Sequence, residues 1–281
     1  MNDTLAELQG LVDARGVRYA SPSFLRPFHL LTFAITVKRK GFTHLTMEPR
    51  LTSYANRMGF WQAAGLLAPT TVSGRSPKGR FCPLTSLDNQ RTVGQAADQL
   101  TSLFRASAVD EDTQASLETA VVEILENCYK HAPPPQSSLF ALAAAQAWFK
   151  GNLAQIAVAD AGVGIRARLK QNAEYHQLLR TANACELATR YGVTGDPAGG
   201  HSGYGLTLAK DLLVKNSGNL IVVSKHEMVV CNRKGVFPYK TAAPWDGTLV
   251  IFEWRTNRRL DARSVYRSWP TPQGFDDDDL M

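Results

Sequence analysis

Three consecutive prolines, Pro133–Pro135, follow a stretch from Ser107 to Ala132 that carries helical periodicity. Each proline lacks the backbone N–H and fixes φ, so the helix must stop there. Beyond the stop the pattern changes to apolar runs of strand length, at 140–150 (FALAAAQAWFK), 153–160 (LAQIAVAD), 219–224, 227–232 and 247–254. A long polar and helical stretch reaches Gly200, and a helix begins near Leu206. Strands interleaved with helix-length segments specify an α/β architecture. Residues 1–69 show a second, smaller α/β pattern. It has a strand at 17–20 (VRYA), an apolar stretch from Phe24 to Val37, a strand at 44–48 (HLTME) and a helix from Leu51 to Ala64, an alternation that favours a parallel sheet. The turn-rich segment TTVSGRSPKGR (70–80) opens a linker expected over 70–104.

A chain of 281 residues, 44% of them hydrophobic, can bury two domain cores. The net charge of +6 is mild for this length and forms no basic–aromatic stripe, so nucleic acid is not an expected partner. The start, MNDTLAEL, has acids where a signal peptide has basic residues, and no apolar run approaches the roughly 20 residues of a membrane span. A cytoplasmic protein is expected. Cys82, Cys128, Cys185 and Cys231 are dispersed without metal-site spacing and read as reduced, mostly buried thiols.

Three segments carry candidate chemistry. On the helix before the prolines, Glu123 and Asn127 are four residues apart and share one face. A carboxylate beside a neutral amide suits a Mg2+ and water site, with Glu123 as base and Asn127 as metal ligand. After an apolar strand comes Asp160-Ala-Gly162-Val-Gly164: an Asp closing a strand can accept from an exocyclic amine, and the glycines permit a tight turn against a flat ring. It is not a dinucleotide fingerprint, because position 167 is Ala, and the chain has no GK[ST] of a Walker loop. The third segment, Gly199-Gly-His-Ser-Gly203-Tyr204-Gly205-Leu206, opens a helix, whose N–H groups and dipole suit a phosphate.

The series ExxxN on a helix, DxGxG after a strand, GxGL opening a helix, and Gly247-Thr248 on a last strand resembles the GHKL superfamily of histidine kinase-like ATPases. The resemblance covers 105–258 and looks closest to the anti-sigma serine kinases. It implies a Bergerat α/β sandwich, a mixed sheet with helices on one face, that binds ATP with Mg2+. In that case Asn127 holds Mg2+ and Glu123 is the general base. Asp160 reads adenine, supported by Thr248, with Gly162 and Gly164 forming the adenine-side turn. Gly203, Tyr204, Gly205 and Leu206 line the phosphates. Residues 166–202 would be a mobile lid, whose Tyr191–Gly195 segment, including Thr194, resembles the stretch before the phosphate loop in that branch. Lys130 and His131 lie past Asn127, where a phosphate contact and a helix-end cap both remain open. His201 is either a phosphate contact or an exposed loop residue.

The first 69 residues resemble a STAS-like domain through Ser21-Pro-Ser23, the apolar helix after it, and the helix end from Tyr54 to Trp61. Where a phosphorylatable STAS domain carries Asp-Ser, this chain has Ser21-Pro22-Ser23, which favours a docking or autoinhibitory role. The histidines ahead of the ATP domain, His29 and His44, lie in that unit and not in a dimerisation helix, and about 25 residues after Trp254 do not make a gyrase-type transducer. The expected function is therefore ATP-Mg2+-dependent phosphorylation of Ser or Thr on a partner protein, itself STAS-like in one version. The alternative is an ATP-hydrolysing switch or nucleotide sensor. A homodimer is a further arrangement, a membrane is not an expected partner, and 259–281 would be a basic then acidic tail.

Overall fold

The structure, a computed structural model, describes residues 24–45, 47–69, 79–87, 90–107, 110–130, 141–195 and 203–270. The predicted strand at 17–20, Ser21–Ser23, His131, His201 and the acidic run Asp276–Asp279 lie outside them.

The helix announced by the prolines is α5 (Glu111–Lys130), preceded by α4 (Gln90–Ser107). Asp110 starts α5 by accepting the Thr113 N–H at 2.8 Å, and Glu111 and Asp112 complement the dipole in its first turn. Leu117, Ala120, Val121, Ile124 and Leu125 recur at helical spacing, and all are buried.

Five strands, β1 (Phe81–Ser86), β2 (Ala141–Trp148), β3 (Leu153–Asp160), β4 (Asn219–Asn232) and β5 (Gly235–Arg255), form one sheet in the order β1-β2-β3-β5-β4. Every pairing is antiparallel. Strand side chains alternate between faces, and here both faces are apolar. Ala143, Ala145, Ile156, Val158, Leu220, Val222, Val250, Phe252 and Trp254 join α4, α5, α8 (Gly205–Asn216) and α9 (Ala262–Tyr266) in one core. Leu142, Ala144, Ala157, Ala159, Ile221, Val223, Leu249 and Ile251 face a second core, closed by α1 (Pro27–Lys40), α2 (Pro49–Arg57) and α3 (Phe60–Ala64). Near the middle of β4, Lys225 takes φ +53° and the pairing shifts register. Before it Leu220 and Val222 face the first core; after it Val229 and Cys231 do, so the bulge inverts which residues point inward.

The α/β class and the sheet-and-helix sandwich are as expected; four details differ. The sheet is antiparallel, not mixed, and helices cover both of its faces. Of the strand expected at 44–48, the described residues 44, 45, 47 and 48 form none: Met47 is buried among the N-terminal helices, and Pro49 begins α2. The helix expected over 51–64 is broken at Gly59, which takes φ +68°. The segment expected to be a linker contains β1 and α4, both part of the sandwich. The N-terminal helices share their core with the sheet: Phe28, Leu31 and Ile35 are fully buried there, and the Tyr54 hydroxyl donates to Gln146 of β2 at 2.5 Å. Cys82, Cys185 and Cys231 are free and buried, and burial pushes the Cys231 thiol up to about 11 and Cys82 to about 12. Among the described residues no helix is long and apolar enough to cross a membrane.

Candidate nucleotide site

Asp160 ends β3, and its Oδ1 accepts the backbone N–H of Gly162 at 2.7 Å and of Thr248 at 3.2 Å. The Thr248 hydroxyl also bonds this carboxylate. Burial nevertheless dominates and pushes the carboxyl up to about 6, against the lowering effect of these hydrogen bonds. A carboxylate so fixed, still ionised at neutral pH, is an acceptor aimed by main-chain atoms of the turn after β3 and of β5.

Two glycines make that arrangement possible. Gly247 takes φ +112°, and a Cβ there would lie 2.0 Å from the Asp160 carbonyl oxygen. Gly164 takes φ +85°, and a Cβ there would lie 2.6 Å from the Ser224 hydroxyl oxygen. That buried hydroxyl donates to the Gly247 carbonyl at 2.8 Å and accepts from the Ile165 N–H at 2.9 Å. Ser224 therefore ties the turn after Asp160 to the strand bearing Thr248. Sequence reasoning did not single it out, since one Ser inside an apolar strand carries no spacing signal.

On the other side, α8 begins at Gly205, and its N-cap residue Tyr204 provides no side-chain cap. The N–H groups of Gly205, Leu206 and Thr207 have no acceptor in the preceding turn of helix, which leaves donors and a positive dipole end for an anion. Gly203 takes φ +68°, and a Cβ there would meet the Val193 backbone at 2.8 Å, so this loop lies directly on the Tyr191–Gly195 segment. Tyr204 stacks on Tyr191 with centroids 4.7 Å apart, and Trp269 packs on both at 5.5 and 5.2 Å. The Trp269 indole N–H donates to Asp211 at 2.8 Å, and the Tyr191 hydroxyl donates to the Pro270 carbonyl at 3.3 Å. Tyr266 closes the group, 5.1 Å from Trp269. Burial, with the Glu123 charge as a second cause, raises the Tyr266 phenol, so Glu123 on α5 is within electrostatic reach of this cluster. The aromatic group was not anticipated from sequence.

The described part of the expected lid is folded around α6 (Ile165–Leu169) and α7 (Ala184–Leu187), with a small core of Leu169, Leu179, Ala184, Leu187 and Ala188. Arg166 anchors it: its guanidinium donates to both Glu227 oxygens and to the carbonyls of Leu179 and Ala182. Burial works against the Glu227 charge, but Arg166 and the Ala184 N–H hold its carboxyl below the usual range. The main chain of Thr194 accepts from Asn172 at 3.4 Å. Asn127 and Lys130 lie in the last turns of α5, where side chains are outside the described set.

Residues 87–219 match the histidine kinase-like ATPase domain family. That segment is similar to GHKL-type ATPase domains. The match starts at Leu87, ahead of the expected residue 105, so it takes in α4. No curated protein shows significant similarity to the chain. GHKL ATPase domains bind ATP, generally with Mg2+. The residues here fit the nucleotide on two independent counts: a backbone-fixed carboxylate with acceptor capacity for an exocyclic amine, and an uncapped helix N-terminus for the phosphates. The GHKL segment supplies Asp160 and α8, while Gly247 and Thr248 come from β5 beyond its end.

Proposed function

We propose that this protein is an ATP-dependent regulator that phosphorylates Ser or Thr on a partner protein. The observation that carries this reading is the Asp160 carboxylate, fixed by Gly162 and Thr248, in one GHKL segment with the open end of α8. In this mechanism Asp160 accepts from the adenine amine, and Gly162 and Gly164 let the backbone lie against the ring. The N–H groups of Gly205 and Leu206 hold the phosphates as charge builds on the transferring group. Asn127 would hold Mg2+, which neutralises triphosphate charge when bound. Glu123 accepts the proton of the attacking hydroxyl, with Lys130 and His131 at the phosphate end. Thr194 belongs to the segment beneath the phosphate loop.

The partner in this proposal is a protein, a STAS-like one being the leading type, and a homodimer is compatible with the same chemistry. The N-terminal helices act as a docking or autoinhibitory layer. Support comes from Arg39 at the end of α1, which donates to the Asp246 carbonyl at 2.7 Å and to its carboxylate at 3.1 Å, one residue before Gly247. A second reading, a conformational switch without phosphotransfer, is favoured by the Tyr191–Tyr204–Trp269 stack, which links the phosphate loop to the C-terminal segment.

The deciding experiment incubates the full chain, a co-purified partner and γ-labelled ATP. Label on Ser or Thr of the partner is expected, and Glu123→Gln should keep ATP-induced thermal stabilisation while losing the label. Released phosphate with no labelled protein would overturn the kinase reading in favour of the switch.

A further inference from the structure

About 23 Å along β3 from Asp160, at seven residues of strand rise, the far end of the sheet carries a second concavity. This pocket, of about 400 Å³, is lined by Gly151 and Asn152 of the β2–β3 turn, Ser217 at the end of α8, and three arginines, Arg233, Arg255 and Arg258. The bulge at Lys225 folds the outer half of β4 and β5 over α8, with Val229 and Cys231 in the same core as Leu208 and Leu212, which brings Arg233 from the β4–β5 turn to this end.

Arg255 and Arg258 are positioned, not merely present. Asn216, almost fully buried, donates from its Nδ2 to the carbonyls of Arg255, Arg258 and Arg259 at 3.1, 3.0 and 3.3 Å. Its Oδ1 accepts the Arg255 N–H at 2.6 Å, so one buried amide clamps the backbone that bears two of the guanidiniums. Ser217, in the left-handed conformation at φ +62°, accepts from Arg258 Nη1 at 2.6 Å and holds that guanidinium. No carboxylate lines the pocket, and among the described residues none of the three arginines forms an ion pair.

Three exposed like charges gathered with no counter-ion among the described residues favour an anion of more than one charge. Guanidinium forks match phosphate oxygens pairwise, and the concavity has room for a small anion. We propose that this pocket binds a small molecule bearing a phosphate or diphosphate group, at a site separate from the nucleotide cleft. The site stands on its own residues and does not depend on the kinase reading.

Inorganic pyrophosphate is titrated calorimetrically into the full chain, with and without saturating adenosine, which carries no phosphate and so cannot compete for this pocket. One saturable event is expected. Arg255→Gln and Arg258→Gln should each weaken it by about tenfold or more with unchanged thermal unfolding, while Asp160→Asn leaves it intact. A parallel titration uses the chain with Asp276–Asp279 changed to asparagine. Binding seen only there supports the pocket and identifies the acidic run as its competitor. No saturable binding in either chain, or binding indifferent to the arginine changes, would overturn the site. If Asp160→Asn abolishes nucleotide binding while the arginine-dependent event persists, the two sites are distinct.

Discussion

At the Asp160 end of the nucleotide cleft the chain is held by main-chain atoms, whereas at the Leu206 end the single close approach of Gly203 to the Val193 backbone is joined by stacked rings from three separate parts of the sequence. Gly164 and Gly247 meet Ser224 and Asp160 at distances that admit no added carbon, and the N–H groups of Gly162 and Thr248 fix the Asp160 carboxylate. Tyr191, Tyr204, Tyr266 and Trp269 meet chiefly through their rings, at centroid separations between 4.7 and 5.5 Å. Backbone constraints fail abruptly, while ring packing weakens by degrees. The first end should behave as all-or-none and the second as adjustable, which suits a reading head for the base beside a regulated grip on the phosphates.

The harshest way to break the contrast is Gly247→Ala. A Cβ placed 2.0 Å from the Asp160 carbonyl oxygen, at φ +112°, should destabilise the fold by about 3 kcal/mol or more. Urea unfolding would measure this, and a loss below about 1 kcal/mol would show that the Asp160 end yields after all.

Asp160→Asn tests the same end electrostatically. Losing a charged acceptor should weaken adenosine binding by about 10–100-fold at pH 7. Its carboxyl, raised by burial from 3.8 to about 6, binds a proton more tightly folded than unfolded. The associated stability is thus fully present below about pH 4 and lost as pH rises through about 6. Thermal unfolding measured across that window should fall with rising pH in the natural chain and flatten in the variant, and adenosine affinity should strengthen over the same interval. An equal slope in both proteins would remove Asp160 as the titrating group.

Trp269→Ala should cost about 2 kcal/mol from lost ring contacts and the Asp211 hydrogen bond. It should weaken ATP more than adenosine. Equal loss for both ligands would mean that the ring cluster supports the whole cleft and not its phosphate end. The smallest effect is expected from Arg39→Ala, because exposed ion pairs contribute under about 1 kcal/mol. A larger loss of nucleotide affinity would reveal α1 as a brace on the Asp160 end.

Much of the Asp160 end was legible in the sequence, because backbone demands write themselves as Asp and Gly at fixed offsets after an apolar run. The opening of α8 was legible for the same reason. The ring cluster was not, since no spacing rule brings Tyr191, Tyr204 and Trp269 together. In the fold, β1 was hidden by Pro83 and by a register irregularity between Cys82 and Thr85, both tolerated because β1 is an edge strand. The signal for α4 was present in Val93, Ala96, Leu100 and Leu103 at helical spacing, yet it fell inside an assumed linker. His44–Glu48 alternates over too few residues to distinguish a strand from coil that buries Met47. Coverage of the second sheet face was readable only in retrospect. Strands such as Leu153–Asp160 are apolar at successive positions, which a sheet with one wet face would not allow.

The irregularity at Lys225 gives β4 two reading frames. Upstream of it even-numbered residues such as Leu220 and Val222 belong to the helices of the ATPase side; downstream, even-numbered Met228 and Val230 belong to the N-terminal layer. Straightening the bulge at unchanged length would turn the outer ribbon inside out, sending Val229 and Cys231 toward α1–α3, whereas deleting one residue there would restore a single parity and keep them facing α8. The length of this one strand, counted in single residues, is therefore part of the fold's code, whereas the identities of its aliphatic side chains are largely exchangeable.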